Sequence, residues 1–358
     1  MLAAIVKPPL PLKSTSRQYS RQDTIKPLLI LLPLRAFKMK KIITIIIVIV
    51  IIITVLTPQV FAQQLSLSLS PPLVELIIKP GKSVLVAYDF INNGDPNYFS
   101  ASVSSFEPKD NLGNIRLKNV PTGPIRFSLD NSDIQLDQPF FLKTRQRQQL
   151  LLRIRTPEGA PNGDYYYSLL VSSQPVGGNE GRSLGAARGT IASNILITVT
   201  DSGRIDIKGK IAFFDVIPRF SFPLGKTKIN IFDSNDPIPV VLIVANQGQN
   251  LIKPRGQISL IGNFGEQIHY EILPQNILSQ SQRLIQATPS AQIQTKQPVS
   301  TIISGFFVGR YRLSAEVYFG EGPVKLSAAT SFIAVPFKFI LGLLVASIFG
   351  VIIFKKVS

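Results

Sequence analysis

Ser83-Val-Leu-Val-Ala-Tyr-Asp-Phe-Ile91 decides the fold. The run is dominated by Val, Ile and aromatic residues, and it is bounded by Pro80-Gly81 and by Asn92-Asn93-Gly94-Asp95-Pro96. A short segment of this kind between Gly, Pro and Asn turns reads as a β-strand. Just upstream, Leu65-Ser-Leu-Ser-Leu-Ser70 alternates with a strict period of two. Just downstream, 99–106 repeats the strand pattern, and 148–156, 165–173 and 191–199 follow with similar composition and flanking turns. The pattern breaks at Thr200-Asp201-Ser202-Gly203 and restarts as 204–214, 239–245, 257–261, 267–272, 302–307, 311–319 and 325–334. No helical period separates these runs. Antiparallel sandwiches are therefore expected, and parallel βαβ units, which need crossover helices, are not.

The chain is predicted to be all-β, with two tandem Ig-like sandwiches over 63–200 and 201–331. The two halves echo one another. Phe90-Ile-Asn-Asn-Gly94 and Val244-Ala-Asn-Gln-Gly248 both end a strand in Asn-x-Gly, and Gly163-Asp-Tyr-Tyr-Tyr-Ser168 and Gly309-Arg-Tyr-Arg-Leu-Ser314 both begin a late strand. Gly permits a tight turn into the strand, and each Tyr is placed to pack inward with its hydroxyl on a loop carbonyl.

The ends read differently. Met39-Lys40-Lys41 opens an apolar run from Ile42 to Leu56, and Val60 and Ala62 place small residues before a cut after Ala62. That is the layout of a secretory signal peptide over 39–62. An uncleaved anchor is the alternative. Residues 1–38 exceed what a signal needs and read as a mis-assigned start or a long basic leader. At the other end, 332–354 is expected to be a transmembrane helix, with 355–358 as a cytoplasmic stub. Sixteen uncharged residues run from Phe339 to Phe354, followed by Lys355-Lys356. Lys338 can snorkel to the interface, and the terminal lysines hold that end in the cytoplasm. Gly342, Ala346 and Gly350 recur at four-residue spacing, as small residues commonly do in spanning helices. A single-pass membrane protein with its ectodomain outside is the expected topology.

Composition narrows the chemistry. The 358 residues contain no Cys, one His and a net charge of +17. A disulfide framework, thiol catalysis, a Cys-ligated zinc and any multi-histidine metal site are excluded. Much of the positive charge sits in 1–41 and around the last apolar run, where it serves topology rather than nucleic acid.

Individual candidates read plainly. His269 and Glu271 share one face of an alternating strand, with no Gly-x-Ser-x-Gly elbow anywhere to supply a nucleophile. Asp233, Asn235 and Asp236 offer clustered oxygens of the kind calcium takes, but they precede Pro237 and read as a turn. Asp130, Asp133 and Asp137 form a weaker version. Glu75, Glu107 and Asp110 show no defensible paired-carboxylate spacing. Arg145, Arg147, Arg153 and Arg155 alternate along strands as a solvated face; the sharper reading is a basic stripe for anionic wall polymers. The Gly-rich stretch 177–185 lacks the helix and the Gly-Lys-Ser/Thr ending of a phosphate loop, and it reads as a long hairpin. No catalytic, metal or cofactor residues are assigned, and no cofactor is expected.

Pro71-Pro72-Leu-Val-Glu-Leu-Ile-Ile-Lys79-Pro80-Gly81 with Asn92–Asp95, and Ala328-Ala-Thr-Ser-Phe-Ile-Ala-Val-Pro336-Phe-Lys338, carry a resemblance. They resemble the extracellular Ig-like domains and membrane junction of the WxL-protein-interacting family of Gram-positive surface proteins. The resemblance implies scaffolding at the cell wall, with peptidoglycan and a partner protein as ligands. The expected function is thus a non-enzymatic adhesion or scaffold module binding a surface protein or wall polymer. The alternative is a membrane-tethered assembly factor whose edge strand caps another surface protein, which requires a long, polar-poor exposed edge.

Overall fold

The computed structural model describes residues 44–50, 64–174, 188–225, 227–263, 265–289, 297–320 and 325–357. Residues 44–50, inside the expected signal segment, form a short helix, α1. Its flanks, the expected cleavage site at Ala62, residues 1–38 and the Gly-rich stretch 177–185 lie outside the described residues. From 64 onward the chain is mostly β, ending in one apolar helix, α2 (Phe337–Val357).

Two sheets face each other over 64–200. The first has the order β1 (Leu67–Ser70), β3 (Ser83–Asn92), β8 (Gln146–Arg155), β6 (Arg126–Leu129). The second runs β2 (Leu73–Ile78), β10 (Thr190–Val199), β9 (Gly163–Ser173), β4 (Asn97–Pro108), with β5 (Ile115–Leu117) and β7 (Pro139–Leu142) both on β4. Strict alternation explains the packing. Along β8, Leu150, Leu152 and Ile154 are fully buried while their neighbours face outward. They meet Phe90, Phe99, Tyr167, Leu169 and Ile195 in one core. Side chains of this size contribute about 1.5–3 kcal/mol each when buried.

The second half repeats the plan. One sheet comprises β11 (Gly209–Val216), β14 (Ile238–Asn246), β17 (Gln282–Leu284) and β18 (Thr301–Ile303). The other has the order β12 (Phe220–Leu224), β13 (Thr227–Asp233), β20 (Lys325–Val335), β19 (Gly309–Phe319), β15 (Pro254–Ile261), β16 (Gln267–Ile272). A separate core of Leu242, Val244, Ile258, Leu313, Val317 and Phe332, among others, lies between them. In each half the opening strand pairs antiparallel in one sheet: β1 with β3, and β11 with β14. The chain then crosses to the other sheet and runs parallel to its last strand: β2 beside β10, and β13 beside β20.

Several expected boundaries move. The apolar helix starts at Phe337 rather than 332, because 332–335 completes the ladders of β20 with β13 and β19. Pro336 separates the two geometries, lacking the N–H that would extend the strand. Lys355 and Lys356 fall in the last helical turn rather than in a stub. Residues 204–208 carry no ladder, so β11 begins later than expected. The run at 302–307 is strand only to Ile303, since the Phe307 N–H turns to the Ser234 carbonyl. Arg145 does not join the alternating arginines; it occupies a turn with φ 60°.

Candidate functional site

The two halves differ at one position of their shared plan. In the second half the outer edge of β13 is covered by β12, paired from Phe220↔Ile231 to Leu224↔Thr227. In the first half the equivalent strand, β2, pairs with β10 alone and has no backbone partner on its other side among the described residues. The Pro72 and Ile78 carbonyls accept N–H groups of Asn194 and Thr200. In a parallel ladder the residues of one parity bond one neighbour, so Leu73, Glu75 and Ile77 turn their N–H and C=O groups to the open side.

β3 is bare on the same flank. β1 pairs only with Asp89–Asn92. The bonds from Thr156 to the Lys82 carbonyl and from Arg145 to the Asn92 carbonyl show that even-numbered residues serve β8. Ser83, Leu85 and Ala87 therefore aim their backbone groups outward. Apart from Glu75 and Ser83 the side chains there are apolar: Ile77 is 61% exposed, Leu85 is 47% exposed, and Leu73 is exposed as well. Val74, Leu76, Val84 and Val86 line the seam between the two strands and are only partly buried. A bare apolar edge of this kind is a template for another strand.

Paired asparagines fix the neighbouring loops. Asn92 accepts the Gly94 N–H at 3.1 Å and donates to the carbonyls of Asp95, Leu142 and Lys143. Asn246 accepts the Gly248 N–H at 2.9 Å and donates to Asn250, Ile277 and Leu278. The Asn-x-Gly echo is thus one device used twice. The Tyr echo is looser. The Tyr165 hydroxyl reaches the Pro161 carbonyl, while the Tyr311 hydroxyl accepts the Val308 N–H.

The halves meet through a polar hub. The Asp164 carboxylate takes hydrogen bonds from Thr198 and Tyr166 in its own half, and from the Asn250 side chain and the Leu251 N–H in the other. Burial, reinforced by the Asp164 charge, pushes the Tyr166 phenol well above its ordinary pKa, so it stays protonated and able to donate. Its oxygen also accepts the Ser279 N–H. Glu75 meets Lys253 at 3.0 Å and Asn276 alongside. Burial opposes its ionisation, but the Asn276 and Lys253 bonds outweigh it and hold the carboxyl below its usual range. Beside these contacts a cleft of about 210 Å³ is lined by Leu73, Phe106, Asn194 and Arg283, among others. The Arg283 Nη1 donates to the Asn276 carbonyl at 2.7 Å, its Nε is buried without a partner, and burial lowers its pKa.

Asp233 gives the calcium-like cluster a structural role. The stretch is a turn between β13 and β14, as expected, but Asp233 is 1% exposed and its carboxylate accepts the Lys338 N–H at 3.0 Å, in the first turn of α2. The Lys338 ammonium pairs with Asp236 and stands 3.6 Å from Asp233. Burial opposes the Asp233 charge, but the backbone donors of Lys338 and Asn235 and the Lys338 charge overcome it, so its pKa lies below the ordinary value. A carboxylate at a helix N-terminus satisfies an otherwise orphaned N–H and complements the helix dipole. The cluster is a clamp on α2.

The remaining candidates disperse. His269 lies exposed on β16 with Nδ1 2.9 Å from the Ser259 hydroxyl, and Glu271 is exposed two residues on. Arg147 pairs with Asp89 and Arg153 with Asp130, so half of the proposed basic stripe is neutralised. Asp137 sits in a turn with φ 62°. Asp133 is exposed, Glu107 pairs with Arg116 and Lys118, and Asp110 closes a turn on Asn114. Among the described residues no three His, Cys, Asp or Glu side chains are grouped to hold a metal.

No protein-family model and no curated protein matches the chain. Among solved structures it is similar to the class 5 fimbriae chaperone CfaA, 11% identical over 75% of this chain and 100% of that one, with a TM-score of 0.34. It is similar to the E. coli chaperone DraB at 14% identity, covering 75% and 98%, with a TM-score of 0.33. A protein of unknown function from Porphyromonas gingivalis W83 scores 0.27 at 10% identity, covering 74% and 99%. Scores this low carry no argument about fold or function.

Proposed function

We propose that this chain is a single-pass protein of the bacterial surface, with two tandem Ig-like sandwiches outside and its C-terminus in the cytoplasm. It holds an extended segment of another surface protein by strand addition and catalyses no reaction. The repeated topology and the twin asparagines support the tandem Ig-like assignment. The resemblance to WxL-interacting surface proteins supports the same layout. The Phe337–Lys356 stretch is long and apolar enough to span a bilayer, with Lys355 and Lys356 at its inner end.

One observation carries the choice of assembly factor over adhesin: the β2 edge is bare where β12 fills the equivalent place. An incoming strand gains main-chain hydrogen bonds there, and the Val74–Val86 seam takes its alternate side chains. A wall-polymer site would draw on the arginines of β8, two of which already face carboxylates.

Photo-crosslinking from position 77 in intact cells tests this. The expected adduct joins position 77 to an extended peptide of another surface protein, and adding Leu85→Lys on β3 lowers its yield severalfold. Crosslinks confined to glycan, or a yield indifferent to Leu85→Lys, would sink the proposal.

A further inference from the structure

The end of the second sandwich nearest α2 is unusual for an exposed surface. Phe220 and Phe222 on β12, and Phe306 and Val308 before β19, are all exposed, Phe306 at 66% and Phe222 at 58%. Phe220, Phe306 and Val308 converge where the helix leaves, whereas Phe222, paired with Ile229, stands farther back, level with Ser331 and Arg312. The Phe220 ring lies 6.1 Å from the Phe337 ring. The Phe307 N–H bonds the Ser234 carbonyl, next to the Asp233 that holds Lys338. Gly309 pairs with Ala334, so Val308 stands level with Val335, just before the helix.

Cations form the next tier. Arg310 pairs in register with Ile333 and Arg312 with Ser331. At about 3.3 Å per residue they stand roughly 7–13 Å from the end of β20. Both are exposed and, like the exposed Lys228, have no acidic partner among the described residues. Arg310 is shared by two adjoining grooves, one containing Lys228 and Thr330 and the other Arg312 and Ser331. Lys338, by contrast, is already satisfied by Asp236 and Asp233.

We infer that this end of the sandwich is a second membrane contact. The Phe220, Phe306 and Val308 side chains enter the headgroup boundary of the bilayer that α2 crosses, and Arg310, Arg312 and Lys228 take phosphates of its anionic lipids. The order from the helix outward, apolar ring and then basic tier, matches the order of acyl boundary and phosphate in a leaflet. Aromatic side chains favour that boundary, and basic groups within a Debye length of an anionic surface are attracted to it. The contact rests on α2 being membrane-spanning, and it adds an orientation: the sandwich is seated on the surface instead of swinging above it.

The chain has no Trp, so a single introduced Trp reports alone. Full-length Phe306→Trp and, separately, Phe220→Trp are reconstituted into phosphatidylglycerol vesicles containing lipid brominated near the top of its acyl chains. Phe141→Trp, exposed on β7 in the other half, is the control. The expected result is a blue-shifted emission and at least about twofold quenching at 306 and 220, with none at 141. Adding Arg310→Gln and Arg312→Gln, or using phosphatidylcholine vesicles, lowers the quenching. Protein that fails to float with the vesicles refutes the spanning helix itself. Protein that floats but is quenched no more at 306 and 220 than at 141 overturns the contact. Equal quenching in anionic and zwitterionic vesicles overturns the phosphate assignment.

Discussion

Replacing Asn246 by Ala removes four hydrogen bonds at a residue only 2% exposed. Two of the lost partners keep others. The Ile277 carbonyl still accepts the Ile252 N–H, and the Leu278 carbonyl still accepts from Ser281. The Asn250 carbonyl and the Gly248 N–H have no other partner among the described residues, and both residues are buried. An orphaned buried backbone group costs about 1–3 kcal/mol, so the pair predicts a loss of about 2–6 kcal/mol. For a domain of this order, each kcal/mol lowers Tm by about 2–4 °C, giving a drop of roughly 4–24 °C. Calorimetry of the full chain in detergent micelles measures it, with the exposed neighbour substitution Gln247→Ala as the control, expected to stay within about 0.5 kcal/mol. Asn92→Ala should behave as Asn246→Ala does. If Asn246→Ala unfolds within 1 °C of wild type, the latch contributes nothing and the reasoning from orphaned groups is wrong.

Other consequences are as direct. Asp233→Ala should release the first turn of α2, seen as faster hydrogen exchange at the Lys338 amide, with the Phe232 core unaffected. Because the folded Asp233 pKa is depressed, its contribution is present above the ordinary carboxyl value of 3.8 and disappears only as pH falls through the lower folded value; protection of the Lys338 amide should follow that titration, and loss near pH 6 would contradict it. Asp164→Ala strips four donors of their acceptor and should loosen the two halves, raising tryptic cleavage near Arg204 while leaving each core cooperative. Gly256→Ala should destabilise by roughly 1–3 kcal/mol on backbone conformation alone; φ is +145° there, and a Cβ would meet the Glu316 carbonyl oxygen at 1.9 Å, so wild-type stability in urea would contradict the geometry.

Alternation made β3, β8 and β19 legible, since each buries every second residue over much of its length, while β9 and β10, buried in consecutive runs, were legible from their Val, Ile and Tyr content and flanking turns. The hairpin of β12 and β13 was missed because Pro218, Pro223 and Gly225 read as loop, and its edge position tolerates them. Strands β5, β6, β7 and β17 are too short to show a period. The candidate site was legible only in outline. Asn92 and Asn246 could be seen as strand ends, but the carbonyls they bind lie 31 to 51 residues away for Ile277 and Lys143. Asp233 invited a cation reading because its partner, the Lys338 N–H, is 105 residues distant. The bare edge of β2 follows from which strands pair, and no local signal carries it.

The hub at Asp164 has a mechanical corollary. Its four donors come equally from the two halves, and Glu75 adds a further tie to Lys253. The sandwiches therefore turn together as one stiff strut, with Asp233 gripping the helix at its foot. A pull on the first sandwich would reach the foot as leverage and not as slack.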